Sequence, residues 1–274
     1  MPTQSLARRT TAQFVGGTVL VAVLFFTLWG LFGSAVLSGR IPDPPDGAPA
    51  VVAEEGYLNR SFLKAHTTDS FDSSGGDLIV VCASSHADVL LTPTDSFHNT
   101  WTPAAGPTNT SSGFNLRTQI WYAKNAAVGP GHTFTMQLSQ PQSLVISLYV
   151  VKGADPSSPI DAISTIGDDG GSELRDITSP GIVTTRPNDL LIGFGKSSVP
   201  EKWSAGTGYR TQRRASSNFL DSQVGWALAP GPYRATFEVS SRGNWQAAVV
   251  AVRPPANAPS ASRSSPAANN GQAF

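Results

Sequence analysis

A continuous apolar stretch near the start of the chain most constrains how the chain can fold. Residues 14–37 read FVGGTVLVAVLFFTLWGLFGSAVL and contain no Asp, Glu, Lys or Arg. A helix of this length would reach about 36 Å, which exceeds the roughly 30 Å hydrocarbon core of a bilayer. We therefore predict a transmembrane helix over 14–37, with Phe14, Leu24, Trp29 and Leu37 as parts of the anchor that contact lipid.

The charges around this stretch predict its orientation. Arg8 and Arg9 precede it, whereas the residues that follow carry mixed charge. The positive-inside bias then places residues 1–13 in the cytoplasm and the rest of the chain in the periplasm or outside a bacterial cell. The alternative is a cleaved signal peptide, with Gly33 and Ala35 as the small residues before the cut. The length of the apolar run favours an uncleaved, single-pass anchor in the cytoplasmic membrane.

The exported part divides into a spacer, one domain and a tail. Residues 38–53 contain four prolines and no hydrophobic period, which is typical of a stiff extended linker. Residues 254–274 consist almost entirely of Pro, Ala, Ser and Asn, a composition that cannot bury enough surface to order itself. Between them, residues 54–253 show no break in composition, and we predict a single domain there.

The pattern within this domain is that of β-strands. Apolar runs are short, rich in β-branched and aromatic residues, and separated by turn residues. The clearest predicted strands are 77–84, 117–124, 132–138, 143–152, 181–185, 189–196, 209–215, 223–229, 234–240 and 245–252, with weaker ones at 55–63, 67–73 and 99–103. No stretch reads as a long amphipathic helix. We therefore predict an all-β fold, an antiparallel two-sheet sandwich of jelly-roll type, with the most apolar runs as central strands.

Several short motifs, taken in order, resemble a bacterial exported β-sandwich module found in many secreted and cell-surface proteins of largely uncharacterised function. The resemblance covers about residues 51–253. Its pieces are GDLIVV at 76–81, TDS at 94–96 with NTW at 99–101, IWYAKN at 120–125, GAD at 153–155, PID at 159–161, NDLLIG at 188–193, GY at 208–209 and GNW at 243–245. The resemblance implies a jelly-roll-like sandwich and an extracellular address. It implies no catalytic residues.

Composition excludes some classes of function. The chain has 19 basic and 19 acidic residues and no basic cluster, so we expect no nucleic-acid partner. The single cysteine, Cys82, lies in the apolar run LIVVCAS, so we expect a buried core thiol and no internal disulfide. We expect no cofactor.

Loop residues offer a candidate calcium site. In the segment DSFHNTW, Asp95 and Asn99 could supply hard oxygen ligands for calcium. The alternative is a tight turn in which these side chains bond to nearby backbone N–H groups.

Catalytic patterns are scarce. The four histidines are scattered and no Gly-x-Ser-x-Gly elbow is present. A glycan hydrolase would need two facing carboxylates, and Glu238 is the best candidate by strand alternation but has no obvious partner in the sequence. We therefore predict that the chain is not an enzyme.

Exposed aromatic rings are the signature that would favour glycan binding. The candidates for contact are Trp203, Tyr209 and Trp101, of which Trp203 stands in the loop-like segment PEKWSAG. The alternative is that these rings fill the core, which aromatic residues in strands usually do.

The sequence therefore favours a membrane-anchored protein whose exported β-sandwich mediates protein–protein contact, as an accessory or structural subunit of a membrane or cell-surface assembly. Its partners would be membrane lipid, through the helix, and other proteins. A carbohydrate-binding module and a glycan-active hydrolase are the alternatives.

Overall fold

Antiparallel strands built on the apolar runs form the domain. The computed structural model describes residues 44–86, 91–109, 116–168, 175–198, 202–211, 220–240 and 243–258, and all of these belong to one compact unit, Ile41–Phe274. Within these ranges the fold is all-β, as predicted, with no α-helix. None of the described segments forms a helix of the length and apolar character that crossing a bilayer requires. The predicted anchor, with Phe14, Leu24, Trp29 and Leu37, lies outside the described residues.

Seventeen strands are present in the described ranges. They are β1 (Ala50–Thr67), β2 (Leu78–His86), β3 (Leu91–Asp95), β4 (Thr102–Asn109), β5 (Leu116–Lys124), β6 (Phe134–Lys152), β7 (Ile160–Ile163), β8 (Gly167–Asp168), β9 (Asp176–Thr178), β10 (Ile182–Thr184), β11 (Asp189–Ser197), β12 (Trp203–Ala205), β13 (Arg210–Thr211), β14 (Leu220–Ala227), β15 (Gly231–Tyr233), β16 (Thr236–Val239) and β17 (Trp245–Val252).

Two six-stranded sheets dominate. Sheet I has the order β1-β6-β2-β5-β4 and takes β3 alongside β6, whereas sheet II has the order β7-β17-β11-β14-β13 and takes β8 alongside β17. Two smaller sheets, β10-β15 and β12-β16-β9, complete the described part. The strands β2, β6, β11 and β17 each have a neighbour on both sides, so the prediction that the most apolar runs are central is confirmed.

The core lies between the two large sheets and on their outer sides. One cluster joins side chains of both sheets, among them Val80, Cys82, Tyr149, Phe194 and Val250. Cys82 is a free buried thiol, as predicted. On the outer side of sheet I, Phe134, Met136 and Leu138 enter a second cluster together, because alternate residues of a strand point to the same face. A third cluster joins sheet II to the smaller sheets.

Sheets I and II repeat one topology. Their strand orders match position by position, and the same irregularity occurs in both first pairs. In sheet I, Val51 pairs with Val151 and Ala53 with Val150, so that Val52 is an extra, bulged residue. In sheet II, Ile160 pairs with Val252 and Ala162 with Ala251, so that Asp161 is the bulged residue. The domain therefore contains a structural duplication, with residues 50–152 and 160–252 as its two copies.

Two strands extend further than the sequence pattern indicates. β1 begins at Ala50 and so includes the last residues of the predicted spacer. β6 is one strand where the sequence predicts two, at 132–138 and 143–152. The pairing of β1 with β6 loses register between Asn59 and Ala65: β1 has extra residues between Asn59 and Leu63, whereas β6 has extra residues between Gln137 and Gln142. Irregularities of this kind bend the paired strands.

Candidate functional site

The three aromatic residues predicted to contact glycans do not share one surface. Trp101 packs in the cluster on the outer side of sheet I, whereas Trp203 and Tyr209 pack against the cluster on the outer side of sheet II. All three are half-buried. The Trp101 indole N–H donates to Asp95 Oδ2 at 2.8 Å, and the Tyr209 hydroxyl donates to the Arg234 carbonyl at 2.9 Å.

Trp203 is less exposed than its loop-like sequence suggests because it lies over a glycine. It stands in β12, and its ring meets Phe237 edge to face with the ring centres 5.6 Å apart. A Cβ atom on Gly195 of β11 would lie 2.7 Å from this indole ring. The missing side chain of Gly195 therefore lets the outer sheet approach sheet II, and the rings form packing contacts there.

Asp95 and Asn99 hold their loop closed through hydrogen bonds. Asp95 Oδ1 accepts from the N–H groups of Phe97 at 2.9 Å and Asn99 at 3.2 Å, and Oδ2 accepts from Trp101. Asn99 Oδ1 accepts from the N–H of Ala127 at 2.7 Å. The oxygens proposed as calcium ligands are thus already acceptors. Among the described residues, no group of three or more His, Cys, Asp or Glu side chains is placed to hold a metal ion.

Calcium is accordingly expected to leave the melting temperature of the protein unchanged, because a ligand stabilises a fold only by binding it. The measurement is differential scanning fluorimetry in millimolar calcium, with magnesium at equal ionic strength as the control. A rise specific to calcium that disappears in Asn99→Ala would contradict this expectation and support the calcium site predicted at Asp95 and Asn99.

A Ser–His–Asp arrangement lies beside this loop, but its side chains are not accessible to solvent. Ser73 Oγ lies 2.8 Å from His132 Nδ1, and His132 Nε2 lies 3.6 Å from Asp95 Oδ1. Ser73 is 0% exposed and His132 is 1% exposed, with the His132 ring stacked on Phe71 at 5.0 Å between ring centres. Ser73 Oγ also donates to the carbonyl of Gly129. A substrate cannot reach this hydroxyl. The three side chains instead connect the loops that carry them.

Glu238 has a carboxylate neighbour that the sequence did not reveal. It pairs across strands with Asp176 in the small sheet β12-β16-β9, and both residues are exposed. Both carboxylates lie on an exposed strand surface, whereas glycan hydrolysis needs two carboxylates that face each other across a concave surface.

A groove with a volume of about 310 Å³ lies where β1 and β6 bend, and we call it the corner groove. Its lining residues are Leu58, Arg60, Phe62, Ser84, Ser85, His86, Ser143, Leu144, Val145 and Lys196. Leu58, Val145 and Ser84 are neighbours across β1, β6 and β2, on the side of sheet I that carries the shared core. Lys196 comes from sheet II. The groove is therefore assembled from both copies of the duplication.

Lys196 is the least expected member of the corner groove. Only 4% of its surface is exposed, and its Nζ donates to the Ser197 carbonyl at 2.6 Å. Burial lowers the pKa of Lys196 to about 7, because a low-dielectric surrounding disfavours the ammonium form. Strand alternation in DLLIGFGKS already places this lysine on the inward side with Phe194, a signal that the sequence analysis missed.

Another buried ionisable residue, Asp189, lies at the start of β11, next to Asp161. Asp161 accepts hydrogen bonds from the backbone N–H and hydroxyl of Thr185, both at 2.5 Å, and forms an ion pair with Arg253. Burial acts to raise the pKa of Asp161, but these donors outweigh it and lower that pKa to about 2. Asp189 is fully buried, and no N–H or O–H of the described residues donates to its oxygens. Burial and the adjacent Asp161 raise the pKa of Asp189 to about 8.

The duplication explains why Asp189 lacks donors. Its counterpart in sheet I is Asp77, since each precedes the leucine that pairs with Val252 or Val151. Asp77 accepts from the N–H groups of Gly153 at 2.6 Å and Ala154 at 3.2 Å. The residues at the same distance beyond Val252 are Pro254 and Pro255, which have no N–H to donate.

No family model, curated protein or solved structure matches this chain.

Proposed function

We propose that this chain is a non-enzymatic, single-pass protein of a bacterial cytoplasmic membrane, whose exported β-domain contacts a partner protein as an accessory subunit of a membrane assembly. In this proposal residues 14–37 form the anchor, and sheets I and II form a jelly-roll-like sandwich related to the exported module that the motifs resemble.

The exposed apolar side chains of β1 carry the proposal. Six large hydrophobic residues of the described ranges are strongly exposed, and four of them, Val52, Leu58, Phe62 and Leu63, belong to β1. Among the strands that the structure describes, β1 lies at the edge of sheet I and pairs only with β6. Soluble proteins usually protect such edges, so an apolar edge favours contact with a partner.

The short connection to the proposed anchor supports the same conclusion. Residues 38–49 separate the apolar stretch from the start of β1. Twelve residues extend at most about 40 Å, so the domain stays close to the membrane and to other proteins embedded there. The glycan-binding and hydrolase alternatives have no comparable support, because the candidate rings are packed and Glu238 lies on an open surface.

Site-specific photocrosslinking tests the proposal. A photoreactive phenylalanine analogue at Phe62, in the full chain in native membranes, is expected to give one discrete protein adduct that mass spectrometry can identify. The same analogue at Leu228 is the matched control, since Leu228 is 64% exposed and Phe62 is 69% exposed but Leu228 lies outside β1. Equal labelling at both positions, or no protein adduct from Phe62, would contradict a docking role for β1.

A further inference from the structure

An uncharged loop connects β14 to β15 at one end of sheet II. Residues 225–233 read GWALAPGPY and contain no Asp, Glu, Lys, Arg or His. At the tip of the loop Leu228 is 64% exposed, and Ala229 and Pro230 beside it are exposed as well. The Tyr233 hydroxyl donates to the carbonyl of Ala229 at 2.8 Å. The loop is therefore held by its own contacts, while its apolar tip faces away from the core.

The neighbouring strand β10 extends this apolar surface. Val183 is 67% exposed and pairs across β10 and β15 with Pro232, which is also exposed. Paired residues of two antiparallel strands lie side by side on one face, so these two side chains form a continuous apolar area. Val183 and Leu228 are the two strongly exposed large hydrophobic residues of the described ranges that lie outside β1. We call Val183, residues 228–230 and Pro232 the apolar end surface.

The apolar end surface lies at the end of the domain where the chain arrives from the proposed anchor. The Trp226 indole N–H donates to the carbonyl of Pro49 at 3.1 Å, so the end of β14 contacts the residue before β1. A turn closed by the bond from the Ala48 N–H to the Pro45 carbonyl keeps this entry segment compact. Residues 38–43, which precede it, extend at most about 20 Å. This step rests on the anchor of the proposed function, which places this end of the domain next to the membrane.

The composition of the loop suits the boundary between lipid headgroups and acyl chains. Trp and Tyr are enriched at that depth, because each combines an apolar ring with one polar group. Trp226 and Tyr233 flank the tip and are half-buried, and their N–H and O–H groups already donate to carbonyls. The loop can therefore enter this boundary without desolvating a charge, which would cost free energy.

We propose that the apolar end surface docks on the bilayer that holds the anchor, with Leu228 inserted between the headgroups and the acyl chains. Lipid is the partner that this surface fits, because the loop is uncharged and lies at the end of the domain nearest the anchor. With this end on the membrane, β1 starts near the bilayer and its edge faces proteins that lie alongside the chain. The lipid contact thus goes beyond the proposed contact of β1 with a partner protein.

Quenching of a fluorescent probe by labelled lipids tests the proposal. The full chain with Leu228→Cys is reconstituted in phosphatidylcholine vesicles and labelled with the environment-sensitive fluorophore NBD. The native thiol of Cys82 is buried and should not react. A nitroxide at a shallow position of the acyl chain is expected to quench the probe at least about twofold, because interfacial side chains lie about 5–10 Å deep.

The matched control carries the same probe at the other end of the sandwich. Ser204 is exposed, and its neighbour Trp203 packs over Gly195. Gly195 lies about 20 Å along β11 from Asp189, which pairs with Ala227 at the base of the loop. The probe at Ser204→Cys should therefore remain in water and show no quenching by the lipid nitroxide. Equal quenching at the two positions would overturn the proposal.

Two further readouts separate lipid from other occupants and from charge attraction. A blue-shifted emission at position 228 without quenching by the lipid nitroxide would mean that protein covers the loop, and would overturn the proposal. High salt is expected to leave the quenching unchanged, because salt screens charges and the loop carries none. Quenching that disappears in high salt would overturn the insertion of the apolar tip.

The proposed function is tested separately from the lipid contact. Resistance of the full chain to carbonate extraction reports the anchor, and a protein adduct from Phe62 reports the partner. If the chain resists extraction but the probe at position 228 stays unquenched, lipid docking fails and the proposed function stands. If the probe is quenched but Phe62 gives no protein adduct, the docking role of β1 fails and the lipid contact stands.

Discussion

Asp189→Asn is expected to stabilise the domain, by on the order of 2 kcal/mol in the free energy of unfolding at pH 8. A buried carboxylate without donors costs free energy, and an amide removes the charge while keeping the shape. The introduced amide can also donate to Asp161, which is the role that a protonated Asp189 would have. Urea denaturation at several pH values, followed by tryptophan fluorescence, measures the effect.

The pH dependence follows from the raised pKa of Asp189. The folded state holds this proton up to a pKa of about 8, whereas the unfolded chain releases it near the ordinary aspartate pKa of 3.8. The stabilising contribution is therefore fully present below about pH 4 and is lost as the pH rises towards 8. Burial raises the pKa of Asp221 to about 7, so Asp221 also makes the free energy of unfolding fall as the pH rises. Asp189→Asn should weaken the dependence of the free energy of unfolding on pH and leave the contribution of Asp221.

The duplication supplies a matched control variant, for which the expected change in stability has the opposite sign. Asp77→Asn makes the same chemical change at the equivalent position of sheet I, but there the carboxylate accepts from the backbone N–H groups of Gly153 and Ala154. Loss of one of these acceptors should destabilise the domain by about 1–2 kcal/mol. Destabilisation by Asp189→Asn to the same extent as by Asp77→Asn would show that Asp189 is ionised and paired in the folded protein.

Asp95→Ala is expected to be among the most destabilising single substitutions in the loops, at about 3 kcal/mol. Its carboxylate accepts from two backbone N–H groups, from Asn99 and from Trp101, and it faces His132. Truncation leaves several half-buried donors without an acceptor, and the ring of Trp101 loses the bond that orients it over Phe134. Denaturant titration again measures the loss.

The control for Asp95 is Asp72→Ala, because Asp72 is an exposed turn residue that accepts one bond from the Ser74 N–H. That variant should change stability little. Burial acts to raise the pKa of Asp95, but its donors lower it overall, so the stabilisation by Asp95 is present above pH 4 and declines as the pH falls below that value. Equal effects of the two variants would mean that the loop is not held by Asp95.

The strand pattern of this protein is visible in its sequence because it is local. Runs such as LIVVCAS and WQAAVVAV are apolar at consecutive positions, and only a strand covered on both faces uses that pattern. These runs form β2 and β17, with neighbours on both sides, and the alternation in HTFTMQL places Phe134 and Met136 on one face. All-β architecture and central strands therefore follow from the chain alone.

The continuity of β6 and β1 did not follow from the sequence. Gln140 and Pro141 break the apolar pattern of β6, and the sequence therefore predicts two strands. Pairing with β1 keeps β6 continuous, because β1 shifts register opposite these residues and pairs with β6 on either side of the bend. Such a pairing joins residues far apart in the chain and leaves no local signature.

The sequence by itself determined the β-strands and the apolar stretch at 14–37, because hydrophobic periodicity and length are properties of neighbouring residues. Only the tertiary structure decided that the two halves repeat one topology, that Lys196, Leu58 and Phe62 line one groove, and that Asp189 lacks the N–H donors that its counterpart Asp77 finds. These features depend on strands distant in sequence packing together, and the burial that shifts the pKa of each group arises only then.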